Sequence, residues 1–193
     1  ASNGGGDEEL RYSLWLNGTS HVIDHGDVLD SVMAGPARQV TYLVCFRPEF
    51  AGAEAVLLGK WDESTASRQF QMRWTADNKI GFLQSNDGAA TSLWVETVKA
   101  FQPDGRFFFI AVLLDQRIES AARAARIWVD GVQQPVVVRA DAGSYVQRAG
   151  PASLRVSGRG YINAYGVLAG IAPAAGPQRW RNGGRARRIE DVF

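Results

Sequence analysis

The chain has 193 residues, of which 46% are hydrophobic and 21% are charged, and it contains 21 glycines and six tryptophans. This length and composition predict one globular domain with its own hydrophobic core, and the combination of many glycines with many aromatic residues favours strands over helices. The single cysteine, Cys45, excludes an intrachain disulfide framework, and no apolar run reaches the roughly 20 residues that a membrane-spanning helix needs.

The two ends of the chain carry opposite charge. Residues 1–11 are glycine-rich and acidic, whereas residues 173–193 are rich in arginine, so we predict a flexible acidic arm, a domain over residues 12–172 and a basic C-terminal tail. Charge and one aromatic ring make the following residues the candidates for partner contact: Asp7, Glu8, Glu9, Arg179, Trp180, Arg181, Arg185, Arg187 and Arg188.

The first half of the domain contains apolar segments separated by turn signals. Asn17-Gly18 predicts a tight hairpin turn after the first strand, because both residues accept positive φ. Residues 40–47 and 55–61 are strongly apolar and predict buried strands. Residues 68–75 alternate, with Phe70, Met72 and Trp74 on one face, which predicts a strand with its other face in solvent.

The second half centres on the apolar run from Phe107 to Leu114, which predicts a strand buried on both faces. Asp130-Gly131 predicts a hairpin whose returning part extends to Val138, and residues 120–126 are the one stretch that favours a short helix. Ten to twelve strands, roughly ten residues apart, predict an all-β, two-sheet antiparallel jelly-roll sandwich.

The order of these segments resembles the concanavalin A-like, laminin-G-like jelly roll. The resemblance covers residues 12–172 and departs from the family before the central apolar strand, where Arg106-Phe107-Phe108 replaces the usual Trp-His pair. It rests on segments that match in order and spacing: Leu16-Asn17-Gly18-Thr19, His21-Val22-Ile23, residues 41–48, Leu58-Gly59-Lys60-Trp61-Asp62, residues 109–114, Ile127-Trp128-Val129-Asp130-Gly131 and Tyr165-Gly166-Val167-Leu168.

The resemblance implies two packed antiparallel sheets and, in most relatives, a binding role. The family includes glycan binders, adhesion modules, glycosidases and modules of phage virions, and the fold alone does not choose among these functions. Many relatives hold calcium at the rim of the sandwich, so by analogy Asp27, Asp62 and Asn163 are the candidate ligands of a calcium ion; turn formation is the alternative role of the acids.

Catalytic patterns are missing from the sequence. A retaining glycosidase needs two carboxylates about 5 Å apart, and no strand carries such a pair. No Gly-x-Ser-x-Gly motif is present, and the neutral charge of the body argues against nucleic acid as a partner. Of the tryptophans on strands, Trp74 and Trp94 have polar neighbours, so we predict that these two rings are exposed and able to stack on sugars.

Two functional hypotheses follow. The main one is a non-enzymatic structural protein of a virion, a bacteriophage surface or capsid-decoration component assembled in the host cytoplasm, which contacts neighbouring subunits through its charged ends. A missing signal-peptide pattern at the N-terminus and the absence of disulfides favour this hypothesis. The alternative is a carbohydrate-binding or adhesion module outside the cell or at its surface, and a glycan-active enzyme is a distant third.

Overall fold

The structure, a computed structural model, describes residues 13–18, 20–30 and 39–169. Within these ranges it contains thirteen strands and one short helix, α1. Their bounds are β1 Leu14–Asn17, β2 Ile23–Asp24, β3 Gln39–Pro48, β4 Ala55–Asp62, β5 Ser67–Trp74, β6 Ile80–Gln84, β7 Leu93–Thr97, β8 Phe108–Asp115, α1 Ala121–Ala124, β9 Ala125–Val129, β10 Val132–Gln134, β11 Val136–Asp141, β12 Leu154–Val156 and β13 Arg159–Ala169.

The strands form two antiparallel sheets that pack face to face. A six-stranded sheet has the order β1-β13-β3-β8-β9-β10, and a seven-stranded sheet has the order β11-β7-β6-β5-β4-β12-β2. One hydrophobic cluster fills the space between them and draws on both sheets. The predicted all-β, two-sheet sandwich is therefore confirmed, while the acidic arm and the basic tail lie outside the described residues.

Trp74 lies in the middle of this core, so the prediction that its ring is exposed is wrong. The side chain is 1% exposed. Its ring lies 5.9 Å from the ring of Phe46 and 5.6 Å from the ring of Phe108, both of which come from the opposite sheet. Alternation along β5 places Trp74 on the same face as Phe70 and Met72, and that face is the inner one.

The outer face of β5 is also covered, which corrects the prediction of a strand with one face in solvent. Gln69 has no exposed surface and Gln71 is 7% exposed. The Gln69 amide donates a hydrogen bond of 2.9 Å to the carbonyl oxygen of Gly150 in the loop before β12. Glutamine in a strand therefore does not identify a solvent face here, because a crossing loop covers the side chain and accepts a hydrogen bond from its amide nitrogen.

Two turns were predicted, and one forms the predicted hairpin. Asp130 and Gly131, both with positive φ, connect β9 to β10, which are paired antiparallel. The returning strand stops at Gln134 because Pro135 lacks an N–H, and β11 then crosses to pair with β7 in the other sheet. Asn17-Gly18 does not form a hairpin, since β1 pairs with β13 and β2 belongs to the seven-stranded sheet.

The predicted helix is shorter than the segment that favoured it. Helix α1 spans four residues, and Ala125 already begins β9. Ala121 and Ala124 are buried, so small residues serve to fit one turn against the core rather than to extend a helix.

Trp74, which is buried in the core, and Trp15, an exposed residue of β1, give a matched test of this core. We expect Trp74→Ala to lower the free energy of unfolding by about 3–5 kcal/mol, because it leaves a cavity between the sheets. Trp15→Ala should lower it by about 1 kcal/mol or less, because Trp15 is 41% exposed. Urea denaturation followed by circular dichroism measures both values, and equal losses would contradict this assignment of Trp74 to the core.

Candidate functional site

The outer face of the six-stranded sheet carries a row of three aromatic side chains and one arginine, which we call the aromatic stripe: Trp15, Tyr161, Arg47 and Phe107. Trp15 is the register partner of Tyr161, and Tyr161 is the register partner of Arg47. Phe107 stands opposite Arg47, one position beyond the pair that joins Phe46 to Phe108. Neighbouring strands are about 4.8 Å apart, so the four side chains stand side by side across the sheet.

Core packing forces these side chains outward. Each has a buried neighbour in the chain: Leu16, Ile162, Phe46 and Phe108 all belong to the hydrophobic core. Since successive side chains of a strand point to opposite faces, the residues beside them face away from the core. Trp15 is exposed, and Tyr161, Arg47 and Phe107 are half-buried.

Short-range contacts fix the rings and the guanidinium. The indole Nε1 of Trp15 donates a hydrogen bond of 3.0 Å to Oε2 of Glu49, and the ring of His21 packs edge-on against Trp15 at 5.5 Å. The Cζ atom of Arg47 lies 4.0 Å from the centre of the Tyr161 ring and 5.2 Å from that of Phe107. The stripe is therefore held in place before any ligand arrives.

A second arginine lies near Tyr161 on the same strand. Arg159 lies two residues earlier on β13, opposite Asn17 of β1, and so shares the outer face. Its Cζ atom stands 4.4 Å from the centre of the Phe50 ring, which is 46% exposed. Exposed rings and two guanidinium groups thus gather at one corner of the sheet.

This arrangement suits a ligand with both a flat apolar face and polar edges. Exposed aromatic rings offer large apolar surface, and Trp and Tyr also present a polar atom at the ring edge. A sugar ring has the same dual character. The stripe therefore can stack on saccharides, with hydrogen-bonding groups available beside the rings.

Cys45 lies on the same outer face, two residues before Arg47. Burial, followed by the negative charge of Asp130, raises the pKa of its thiol to about 11. The thiol therefore stays protonated at neutral pH, and Cys45 contributes a small apolar surface rather than a nucleophile.

Trp94, the second predicted platform, lies on the other sheet. It is half-buried on the outer face of the seven-stranded sheet, in register with Leu83 and Ala140. Its Nε1 is buried and has no hydrogen-bond partner among the residues that the structure describes. A ligand role for Trp94 stays a prediction, on a surface separate from the aromatic stripe.

The polar groups around Trp94 are already paired with one another. Arg73 donates to Oε1 of Gln71 and, over 2.8 Å, to Oε1 of Glu54. Arg139 donates to Oε2 of Glu96 over 3.0 Å. Fewer donors and acceptors are left for a ligand here than at the aromatic stripe.

The predicted calcium ligands have other contacts. Asp27 Oδ1 accepts a hydrogen bond of 2.6 Å from Nζ of Lys60, whose side chain has no exposed surface and which also lies 2.5 Å from Oδ1 of Asp30. Asp62 accepts from the backbone and hydroxyl of Ser64, and these hydrogen bonds lower the pKa of its carboxyl.

Asn163, the third candidate, lies at a bulge of β13 in the six-stranded sheet, whereas Asp62 ends a strand of the other sheet. In the described ranges no three His, Cys, Asp or Glu side chains form a group that could hold a metal ion. Calcium binding by these residues therefore stays a prediction, and the ammonium group of Lys60 lies between Asp27 and Asp30.

The candidate contact residues at the two ends of the chain, from Asp7 to Glu9 and from Arg179 to Arg188, lie outside the described residues. In the part of the chain that is described, no helix has the length and apolar character needed to cross a membrane.

Sequence patterns did not single out the aromatic stripe. The signal that was available is alternation, because Arg47 lies between Phe46 and Pro48 in a strand whose other face is apolar. What alternation cannot supply is the register that brings Trp15 to Tyr161 from the opposite end of the described chain.

No protein-family model matches the chain, and no curated protein matches it in sequence. Solved structures do match it. CBM40 of the Ruminococcus gnavus IT-sialidase has a TM-score of 0.58 and 15% identity over 81% of this chain and 89% of that one. The same module bound to alpha2,3 sialyllactose has a TM-score of 0.51 and 14% identity over 68% and 76% of the two chains.

A third match is a chain from a structure described by the dependence of botulinum neurotoxin type C cell entry on two ganglioside molecules. Its TM-score is 0.55 and its identity 6%, over 78% of this chain and 37% of that one. Identities this low establish the fold alone. The chain is a concanavalin A-like jelly-roll sandwich, as its resemblance in sequence implied.

Lys60 allows a direct test of the metal question. In Lys60→Met the two carboxylates lose their shared cation, and we expect the free energy of unfolding to fall by about 1–3 kcal/mol, less than for a fully buried pair because both carboxylates reach solvent. Lys79→Met, which removes the same charge where no ion pair with a described residue exists, should change it by about 0.5 kcal/mol or less.

The same samples test calcium. Neither calcium nor a chelator should shift the Tm of the unmodified chain, because Lys60 already neutralises the carboxylates that a divalent ion would need. A Tm that rises with calcium and returns with chelator would show that the predicted site exists after all.

Proposed function

We propose that this chain is a carbohydrate-binding domain that holds glycans on the aromatic stripe. The observation that carries the proposal is the register of Trp15, Tyr161 and Arg47, which lines up two aromatic rings and a guanidinium on a solvent-facing sheet surface. Contiguous apolar surface that reaches solvent, as at Trp15 and the half-buried rings beside it, often marks a binding site.

The fixed geometry of the stripe favours affinity. Glu49 and His21 hold the indole of Trp15, and Arg47 packs on Tyr161, so little side-chain freedom remains to be lost on binding. A sugar stacked on Trp15 would find the Tyr161 hydroxyl and the guanidinium N–H groups at its edge. Recognition would then combine ring stacking with a few directed hydrogen bonds.

The comparisons support this choice over the others. The structures named above include two of a carbohydrate-binding module, and in one of these the module is bound to alpha2,3 sialyllactose. The third is a toxin chain described by its ganglioside interaction. They support binding without catalysis.

The virion hypothesis gains no such support. Its candidate contacts lie at the ends of the chain, outside the described residues, and none of the structures named above is described as a virion protein. Localisation in a virion, or outside a cell, remains a prediction from sequence. A glycan-binding domain is compatible with either place.

Two ring deletions test the proposed surface. On a glycan array followed by calorimetry with the best ligand, Trp15→Ala and Tyr161→Ala should each weaken binding about 10-fold to 100-fold, as expected if each ring contributes roughly 1–3 kcal/mol. Trp15 is exposed, so its loss should leave the fold intact.

Trp94→Ala is the matched control, because it removes a tryptophan from the outer face of the other sheet. Its affinity should equal that of the unmodified chain. If Trp94→Ala abolishes binding while Trp15→Ala does not, the glycan site lies on the seven-stranded sheet, and an array without any bound glycan would reject the function itself.

A further inference from the structure

We propose that the glycan held on the aromatic stripe carries an acid group, a carboxylate or a sulfate, which the guanidinium groups of Arg47 and Arg159 bind. This inference rests on the proposed function and names the ligand class of the same site. The evidence for it is the positive charge of these two guanidinium groups rather than the aromatic rings.

Most arginines of the described chain have a carboxylate partner. Six of them form ion pairs with Asp or Glu side chains: Arg68, Arg73, Arg106, Arg117, Arg139 and Arg155. Five described arginines have no such ion pair, and among these Arg47 and Arg159 are the two that pack on the rings of Tyr161 and Phe50. Two positive charges at the stripe therefore lack a counter-charge from the described fold.

A carboxylate stands nearby but is used elsewhere. Glu49 directly follows the end of β3, and its backbone N–H donates to the carbonyl oxygen of Arg159 over 3.3 Å. Its side chain nevertheless accepts the hydrogen bond of the Trp15 indole. Even counting Glu49, two guanidinium groups face one carboxylate, so the corner of the stripe attracts an anion.

The contacts of Arg47 and Arg159 with aromatic rings leave the N–H groups at the guanidinium edge available to a ligand. Arg47 lies over Tyr161 at 4.0 Å and Arg159 over Phe50 at 4.4 Å, which restrains the guanidinium by contacts with aromatic rings. A guanidinium against a ring keeps N–H groups at its edge for hydrogen bonding, and this fork matches the two oxygens of a carboxylate or sulfate.

The two arginines can act on one ligand. Arg47 is the register partner of Tyr161, and Arg159 lies two residues from Tyr161 along β13. Two residues of a strand span about 6.6 Å, so both arginines leave the sheet on the same face, close to a sugar stacked on Trp15. An acid substituent at the edge of that sugar would lie within reach of either group.

Matched oligosaccharides test the inference on the full chain. Calorimetry with lactose, 3′-sialyllactose and 3′-sulfolactose compares one neutral core with its carboxylated and sulfated forms. We expect at least one acidic form to bind about 10-fold or more tightly than lactose, and this preference to shrink as salt is raised. A preference for the carboxylate alone or the sulfate alone supports the proposal and identifies the acid.

Charge variants assign the preference to the two arginines. Arg47→Gln and Arg159→Gln should weaken binding of the acidic form more than that of lactose, so that the ratio of the two affinities falls towards one. Arg47→Lys keeps the charge but loses the fork, and should retain part of the ratio. Arg123→Gln, an exposed arginine of α1 with no ion pair to a described residue, should leave the ratio unchanged.

The outcomes separate this inference from the proposed function. Trp15→Ala should weaken neutral and acidic forms alike, because it removes stacking. Binding that depends on Trp15 but shows no acid preference, or a preference that survives both glutamine variants, would overturn the inference and leave glycan binding in place. If none of the three sugars binds, the inference is overturned, and the glycan array then decides the function.

Discussion

The contact of Trp74 with Phe46 and Phe108 determines how the rest of the sandwich is placed. These three rings join the two sheets, since Trp74 belongs to β5 and the two phenylalanines are register partners on β3 and β8. Once Phe46 and Phe108 point inward, Arg47 and Phe107 must point outward. The same strand register therefore places the core rings on the inner face and the aromatic stripe on the outer face. A register shift of one residue would move each set of side chains to the opposite face.

The last strand depends on a close backbone approach to β3. A Cβ atom on Gly160 would stand 2.2 Å from the carbonyl oxygen of Arg47, which no side chain tolerates. Glycine at this position lets β13 lie between β1 and β3, and this insertion brings Tyr161 beside Arg47. At the rim, Lys60 forms ion pairs with Asp27 and Asp30 and so ties the segment before β3 to the seven-stranded sheet.

Local patterns predicted the elements well and the surfaces poorly. Alternation identified β5, a continuous apolar run identified β8, and Asp130-Gly131 identified the hairpin, because each signal is contained within a few residues. The exposure of Trp74 was judged from its polar neighbours, although alternation places the ring with Phe70 and Met72. The pairing of β1 with β13 joins distant segments, and no local pattern contains that information.

The register of Trp15 with Tyr161 also links the stripe to the integrity of the whole domain. One ring comes from the first described strand and the other from the last, so the surface is complete only after the final strand has been synthesised and inserted. A ligand that contacts both rings binds the folded domain and not the unfolded chain. It therefore stabilises the pairing of β1 with β13. Sugar binding at this surface would therefore raise the apparent stability of the domain.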